Sequence, residues 1–232
     1  MAIALAGSEN VNSPTSTLPA TITSTAFTPA TGELIIIKVV TEDFLAALND
    51  PIASGGGITW IKRNENKVAS TCAAGIWSGI VTAGGSSITI SITTINNGAA
   101  GGWFSMVVER WTGAQLDNTP STIVASGGSS TITITTTGTN SVVSYLVGDW
   151  NAVPPGTPVY ASGATQDGLH DKSTGAFYTA YYAYQNAAAA GIQTLGLTAP
   201  VGRSDTIMGI EIQVAGTAPA TIRKLMLSGV GS

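Results

Sequence analysis

Thirteen carboxylates, one histidine and one cysteine are the groups with which this 232-residue chain could do chemistry. Glycoside hydrolysis needs only two carboxylates, one protonated and one ionised. Glu109 and Glu211 each stand inside an apolar stretch, where burial would raise the carboxyl pKa and favour the acid form. The same setting arises when a strand-edge glutamate pairs with Arg110 or Arg203 or faces water, and that structural role is the expectation. His170, in Asp167-Gly-Leu-His170-Asp171, could form a metal site or a carboxylate–imidazole pair with the two aspartates. So short a motif reads instead as a solvated loop, and no metal or cofactor is expected. Gly75-Ile-Trp-Ser78-Gly79 has the wrong spacing for a nucleophile elbow, and no phosphate-cradling glycine pattern occurs at a strand-to-helix junction. The chain therefore reads as a non-enzyme. Cys72 has no second cysteine to pair with and reads as a buried thiol.

Aromatic side chains could instead bind a sugar by stacking on its faces, and Trp60, Trp77, Trp103, Trp111 and Trp150 are the candidates. Each lies in or at the end of a predicted strand, which favours core packing. The run Phe177-Tyr-Thr-Ala-Tyr-Tyr-Ala-Tyr184 differs. Alternation sets Tyr178, Tyr182 and Tyr184 on one face and Phe177 and Tyr181 on the other, so one aromatic face is expected to be exposed or covered by a partner.

The elements that carry these residues are strands. In Ile88-Thr-Ile90-Ser-Ile92-Thr the isoleucines share one face and the hydroxyls the other. Gly127-Gly-Ser-Ser-Thr-Ile132-Thr-Ile134 echoes Gly84-Gly-Ser-Ser-Ile88-Thr-Ile90, which reads as two hairpins of like design and not as a repeat architecture. Further strands are predicted over 21–28, 33–40, 58–63, 68–78, 103–111, 141–150, 177–185, 192–197 and 207–214. Gly, Pro, Asn and Ser clusters separate them, and only 41–48 has a helical pattern, with Thr41 as cap and Phe44, Leu45 and Leu48 as a stripe. The fold class is all-β, an antiparallel two-sheet β-sandwich.

Charged residues are only 9% of the chain, so its surface must be hydroxyl and amide. The nine Lys and Arg are scattered under a net charge of −4, which excludes a nucleic-acid partner. The longest apolar run, 34–40, is broken at Lys38, so no membrane partner is expected, and Met1-Ala-Ile-Ala lacks the cationic region of a secretory signal. Residues 1–16 read as an N-terminal arm, 17–215 as the sandwich domain and 216–232 as a C-terminal extension. Within that extension Ile222, Leu225, Met226 and Leu227 form an apolar run after the Gly216 and Pro219 breaks. With Tyr178, Tyr182 and Tyr184 they are the expected partner contacts.

Several phrases in order resemble the β-sandwich accessory virion proteins of tailed bacteriophages, the minor tail and head decoration type. They are Phe27-Thr-Pro29 with Gly32-Glu-Leu-Ile-Ile36, Ile58-Thr-Trp60, Glu109-Arg-Trp111-Thr-Gly-Ala114, Gly148-Asp-Trp150-Asn151, Leu195-Gly-Leu-Thr-Ala-Pro200 and Gly209-Ile-Glu-Ile212, spanning about residues 20–214. The resemblance implies a jelly-roll-like sandwich located in the virion, an oligomer whose partners are other virion proteins and copies of itself, with no catalytic residues. The alternative is a carbohydrate-binding or adhesin module that takes a host-surface glycan on the tyrosine-rich face or around Asp149-Trp150-Asn151. A glycan-cleaving enzyme using Glu109 or Glu211 is the third reading.

Overall fold

The computed structural model describes residues 2–13, 20–42, 48–68, 72–93, 103–115, 123–126, 131–175 and 178–216. Ile222, Leu225, Met226 and Leu227 lie outside the described residues, as do 43–47, the body of the expected helix, and the side chain of Cys72. Thr41, the expected helix cap, instead ends a strand.

Apart from two short 3-10 turns, the regular elements among the described residues are strands, every pair antiparallel. In the N-terminal half these are β1 (Ala4–Asn12), β2 (Thr21–Thr23), β3 (Leu34–Thr41), β4 (Ile52–Ala53), β5 (Ile61–Val68), β6 (Cys72–Ile80), β7 (Ile90–Thr93) and β8 (Phe104–Thr112). A short β9 (Ala114–Gln115) leads to β10 (Ile123–Ser126), β11 (Thr131–Thr136), β12 (Ser141–Asp149), β13 (Val159–Tyr160), β14 (Thr165–Asp171), β15 (Thr179–Ala187), β16 (Gly191–Ala199) and β17 (Asp205–Val214).

The expected antiparallel β-sandwich is present, and it is built twice. The first half forms a five-stranded sheet, β1-β8-β3-β6-β5, and a three-stranded sheet, β2-β7-β4. The second repeats that winding, as β10-β17-β12-β15-β14 and β11-β16-β13, with the short β9 added beside β17 as a sixth strand of the larger sheet. A jelly roll carries its first, eighth, third and sixth strands in one sheet and its second, seventh, fourth and fifth in the other. Each half has that order, except that its fifth strand pairs with the sixth. The Gly-Gly-Ser-Ser echo is unrelated to this repeat: its copies precede β7 and β11, whose counterparts are β16 and β2.

Three apolar layers hold four sheets together. Ile35, Ile37, Val39, Trp77, Ile90 and Ile92 fill the N-terminal sandwich. Val143, Tyr145, Val147, Tyr181, Leu195 and Ile207 fill the C-terminal one. Between the halves the two large sheets meet face to face over Leu34, Ile36, Val107, Trp111, Leu146 and Met208. Because both faces of each large sheet are covered, β3 and β12 are buried along their whole length. Each large aliphatic side chain so removed from water contributes roughly 1.5–3 kcal/mol before entropy. Strands buried on both faces need no polar alternation, which explains the unbroken Leu34-Ile-Ile-Ile run.

Two expectations are corrected. Residues 4–12, read as part of an arm, are the edge strand β1, paired along its length with β8. Tyr178 and Tyr182, read as partner contacts, are fully buried between the two large sheets, and Tyr184 packs at the margin of the same layer. One face of β15 lies against the opposite half and the other, with Tyr181, against β16's layer, so both faces of the strand are covered within the chain; Phe177 lies outside the described residues.

Candidate functional site

A group of three buried ionisable side chains, Lys38, Glu109 and Asp167, lies inside that central layer. Alternation along β3 sets Lys38 in the same inward row as Leu34, Ile36 and Val40, and alternation along β8 sets Glu109 between Val107 and Trp111. Since Ile36 pairs with Glu109 and Lys38 with Val107, the two charged residues are diagonal neighbours on one face. The third member comes from the other half. Gln166 pairs with Ala183 and Gly168 with Tyr182, so Asp167 is the extra residue of a bulge in edge strand β14. Such a bulge re-aims its side chain, here inward. Gly168 makes room, because a Cβ there would stand 2.6 Å from Val107 Cγ2.

Lys38 Nζ donates to Glu109 Oε1 at 2.7 Å and to Asp167 Oδ2 and Oδ1 at 3.0 and 3.2 Å. The backbone oxygens of Tyr145 and Ala183, each at 3.3 Å, complete its surroundings. Glu109 Oε2 accepts from Ser144 Oγ at 2.7 Å and from Trp111 Nε1 at 3.0 Å. The side chains of Lys38 and Glu109 are wholly buried and that of Asp167 is 3% exposed, so the pairing is desolvated.

Burial alone would lower the Lys38 pKa, but Asp167 and Glu109 together raise it. Burial alone would raise that of Glu109, but Lys38 and its hydrogen-bond donors bring it below the usual range. Asp167 goes the other way: burial pushes it up to about 8, with Lys38 opposing and Glu109 adding. At neutral pH the cluster therefore holds an ammonium, an ionised carboxylate and a carboxyl biased toward its acid form. An amine, a carboxylic acid and a proton-carrying carboxylate within hydrogen-bond reach are also the parts of an acyl transfer.

His170 is not in a solvated loop. It lies in β14, buried, and its Nδ1 shares a hydrogen bond with the Tyr178 hydroxyl. Burial first, and Lys172 second, lower its pKa to about 4. Tyr178 continues to Ser105, whose hydroxyl meets that of Tyr182 at 2.6 Å, a polar chain across the central layer. Asp171 faces outward and accepts from Ser173, so His170 and the two aspartates do not converge. Among the described residues no group of three His, Cys, Asp or Glu could hold a metal ion.

Glu109 and Glu211 are not brought together as an acid–base pair. Glu109 pairs with Lys38, and neither Arg110 nor Arg203 is its partner: Arg110 binds Glu33 and Arg203 binds Asp205. Glu211 accepts the backbone N–H groups of Thr137 and Gly138, which overcome burial and lower its pKa. The Asp149 carboxylate likewise accepts from Asn151, Val153 and Ser204 and so tethers its own loop. Trp77 and Trp111 are core residues, and Trp60, Trp103 and Trp150 are half-buried. A surface groove of about 590 Å³, lined by Ala2, Ile3, Asn140 and Asn186 among others, carries no titratable side chain among the described residues. No helix among the described residues is long and apolar enough to cross a membrane.

Compared with known proteins, the chain matches no family model, no curated protein and no solved structure. Its site is thus read from geometry. Sequence reasoning missed Lys38 and Asp167 as members. The available signal was a lone lysine inside the apolar run 34–40 with a lone glutamate inside another apolar strand, since two buried opposite charges need each other.

Proposed function

We propose that this chain is a non-catalytic structural accessory protein of a tailed-phage virion, on the capsid surface or tail, contacting other virion proteins and copies of itself. The observation that carries this reading is that the ionisable cluster is buried between the two halves, Lys38 and Glu109 wholly and Asp167 3% exposed, where it serves cohesion. A particle component needs that kind of rigidity and a surface with few charges to mismatch at close contacts. Exposed apolar residues on the outer sheets supply contacts: Ile52 on β4, its counterpart Val159 on β13, and Ile192 on β16. The run Ile222, Leu225, Met226 and Leu227 is proposed as a further contact. Jelly rolls serve capsids and lectins alike, so the sites decide between them. The glycan reading loses support because Tyr178 and Tyr182 are interior and Asp149 is occupied by its own loop.

The test is mass spectrometry of gradient-purified particles before and after a high-salt wash. The chain should stay with the particles in fixed proportion to the major capsid protein. Its absence from particles, with recovery only in the soluble fraction of infected cells, would overturn the proposal.

A further inference from the structure

We infer that Lys38 and Asp167 join through an intramolecular isopeptide bond, with Glu109 as the proton carrier, so that the two halves of the chain become covalently linked. The groups stand at reacting distance: both Asp167 oxygens lie within 3.2 Å of Lys38 Nζ, which places the carboxyl carbon that bears them before the amine. The enclosure favours the reaction. Separated charge is costly away from water, so a neutral amine beside a neutral carboxylic acid lies close in energy to the ion pair, and that neutral pair is the reactive form.

The three carboxyl and amine groups have separate parts. Glu109 Oε2 is held by Ser144 and Trp111, which keeps Glu109 a carboxylate and a poor target for a nucleophile, while Oε1 is left to Lys38 at 2.7 Å. Asp167 has neither the Ser144 nor the Trp111 donor; Lys38, the Glu109 carboxylate and, at 3.5 Å, the Ser8 hydroxyl stand against it. Its raised pKa agrees with the acid form the reaction needs. The amine lone pair attacks Cγ of Asp167 and the N–C bond forms. The surplus proton on Nζ passes through Glu109 Oε1 to the departing hydroxyl oxygen, the C–O bond breaks, and one water leaves. Glu109 is regenerated and no oxidant or cofactor is consumed. Ser8 is exposed on β1, so the water has a short way out between β1 and β14. The linkage closes across 129 residues and fixes β3 of one jelly roll to the bulge of the other. This inference does not depend on the virion reading.

The experiment is intact-mass spectrometry of the purified full-length chain under denaturing conditions, followed by tryptic mapping. The expected result is a mass one water below that of the sequence, with the Lys38 and Asp167 peptides recovered as a single branched species. Asp167→Ala and Glu109→Gln should restore the full mass. Should either variant fail to fold, the wild-type chain decides alone. The full sequence mass would overturn the inference. So would a water loss mapped to cyclisation of Asp167 onto Gly168, which changes the mass equally without linking Lys38.

Discussion

Arg63 and Asp167 hold the same place in the two halves: each is the extra residue of the bulge in the fifth strand of its jelly roll. Lys62 pairs with Trp77 and Asn64 with Ile76, just as Gln166 pairs with Ala183 and Gly168 with Tyr182. Arg63 donates within its own half, from Nε to Ser78 Oγ at 2.5 Å, whereas Asp167 reaches the other half's Lys38. A bulged residue stands outside the ladder, so its side chain diverges without disturbing strand pairing. One backbone device thus serves two purposes, and only the C-terminal copy ties the halves together.

Removing the cation exposes what it holds. In the unlinked Asp167→Ala background, where Lys38 keeps its charge, Lys38→Met leaves Glu109 buried with no counter-charge, and urea unfolding should show a loss of about 3–5 kcal/mol. Lys38→Met combined with Glu109→Gln should be less damaging than the single change. A loss under about 1 kcal/mol would mean that these charges reach water.

His170 should remain neutral down to about pH 4 in the folded protein, followed by the chemical shifts of its ring protons in an NMR titration. Its folded pKa lies below the unfolded value of 6.5, so the unfolded chain binds the proton first. The stability it contributes is therefore complete above pH 6.5 and is lost as pH falls toward 4. A ring titrating near 6.5 would place it in solvent. His170→Ala, which removes the buried hydrogen bond between Nδ1 and the Tyr178 hydroxyl, should cost about 1–3 kcal/mol.

Gly168→Ala tests the closeness of β14 to the opposite sheet. The added methyl would meet Val107 at 2.6 Å and Tyr182 at 3.0 Å, both from packed interior positions. A loss of about 1–3 kcal/mol is expected from overpacking. An unchanged melting temperature would show that β1 and β14 part easily.

Glu211 acts on its own loop. Glu211→Ala strips the acceptors from the Thr137 and Gly138 N–H groups and should cost about 1–3 kcal/mol, read by thermal unfolding. Glu211→Gln keeps one acceptor oxygen and should recover part of it. Neither change should alter self-association, which size-exclusion chromatography would report.

The strands were legible in the sequence because alternation is a local property. Ile90, Ile92 and Ile134 are buried as their spacing with threonine requires. The doubling was not legible, because equivalent strands share burial and not residues: β6 reads CAAGIWSGI where β15 reads TAYYAYQNA. Glu109 stood out as a carboxylate in an apolar strand, yet its partner depends on the pairing of β3 with β8, which no local pattern encodes. Asp167 was harder still, since a bulge turns inward a residue that looked like part of a polar loop. The aromatic run 177–184 misled for a related reason: covering both faces of β15 needs two further sheets, and only the doubled fold supplies them.

The proposed role of this doubled jelly roll is that of a virion component. A reconstruction of intact particles at a resolution that separates strands tests it most directly. The expected result is density for four stacked sheets at regularly repeated positions on the head or tail, the central pair continuous through Lys38, Glu109 and Asp167 and the outer sheets touching neighbours near Ile52, Val159 or Ile192. Particles whose density is fully explained without this chain would contradict it.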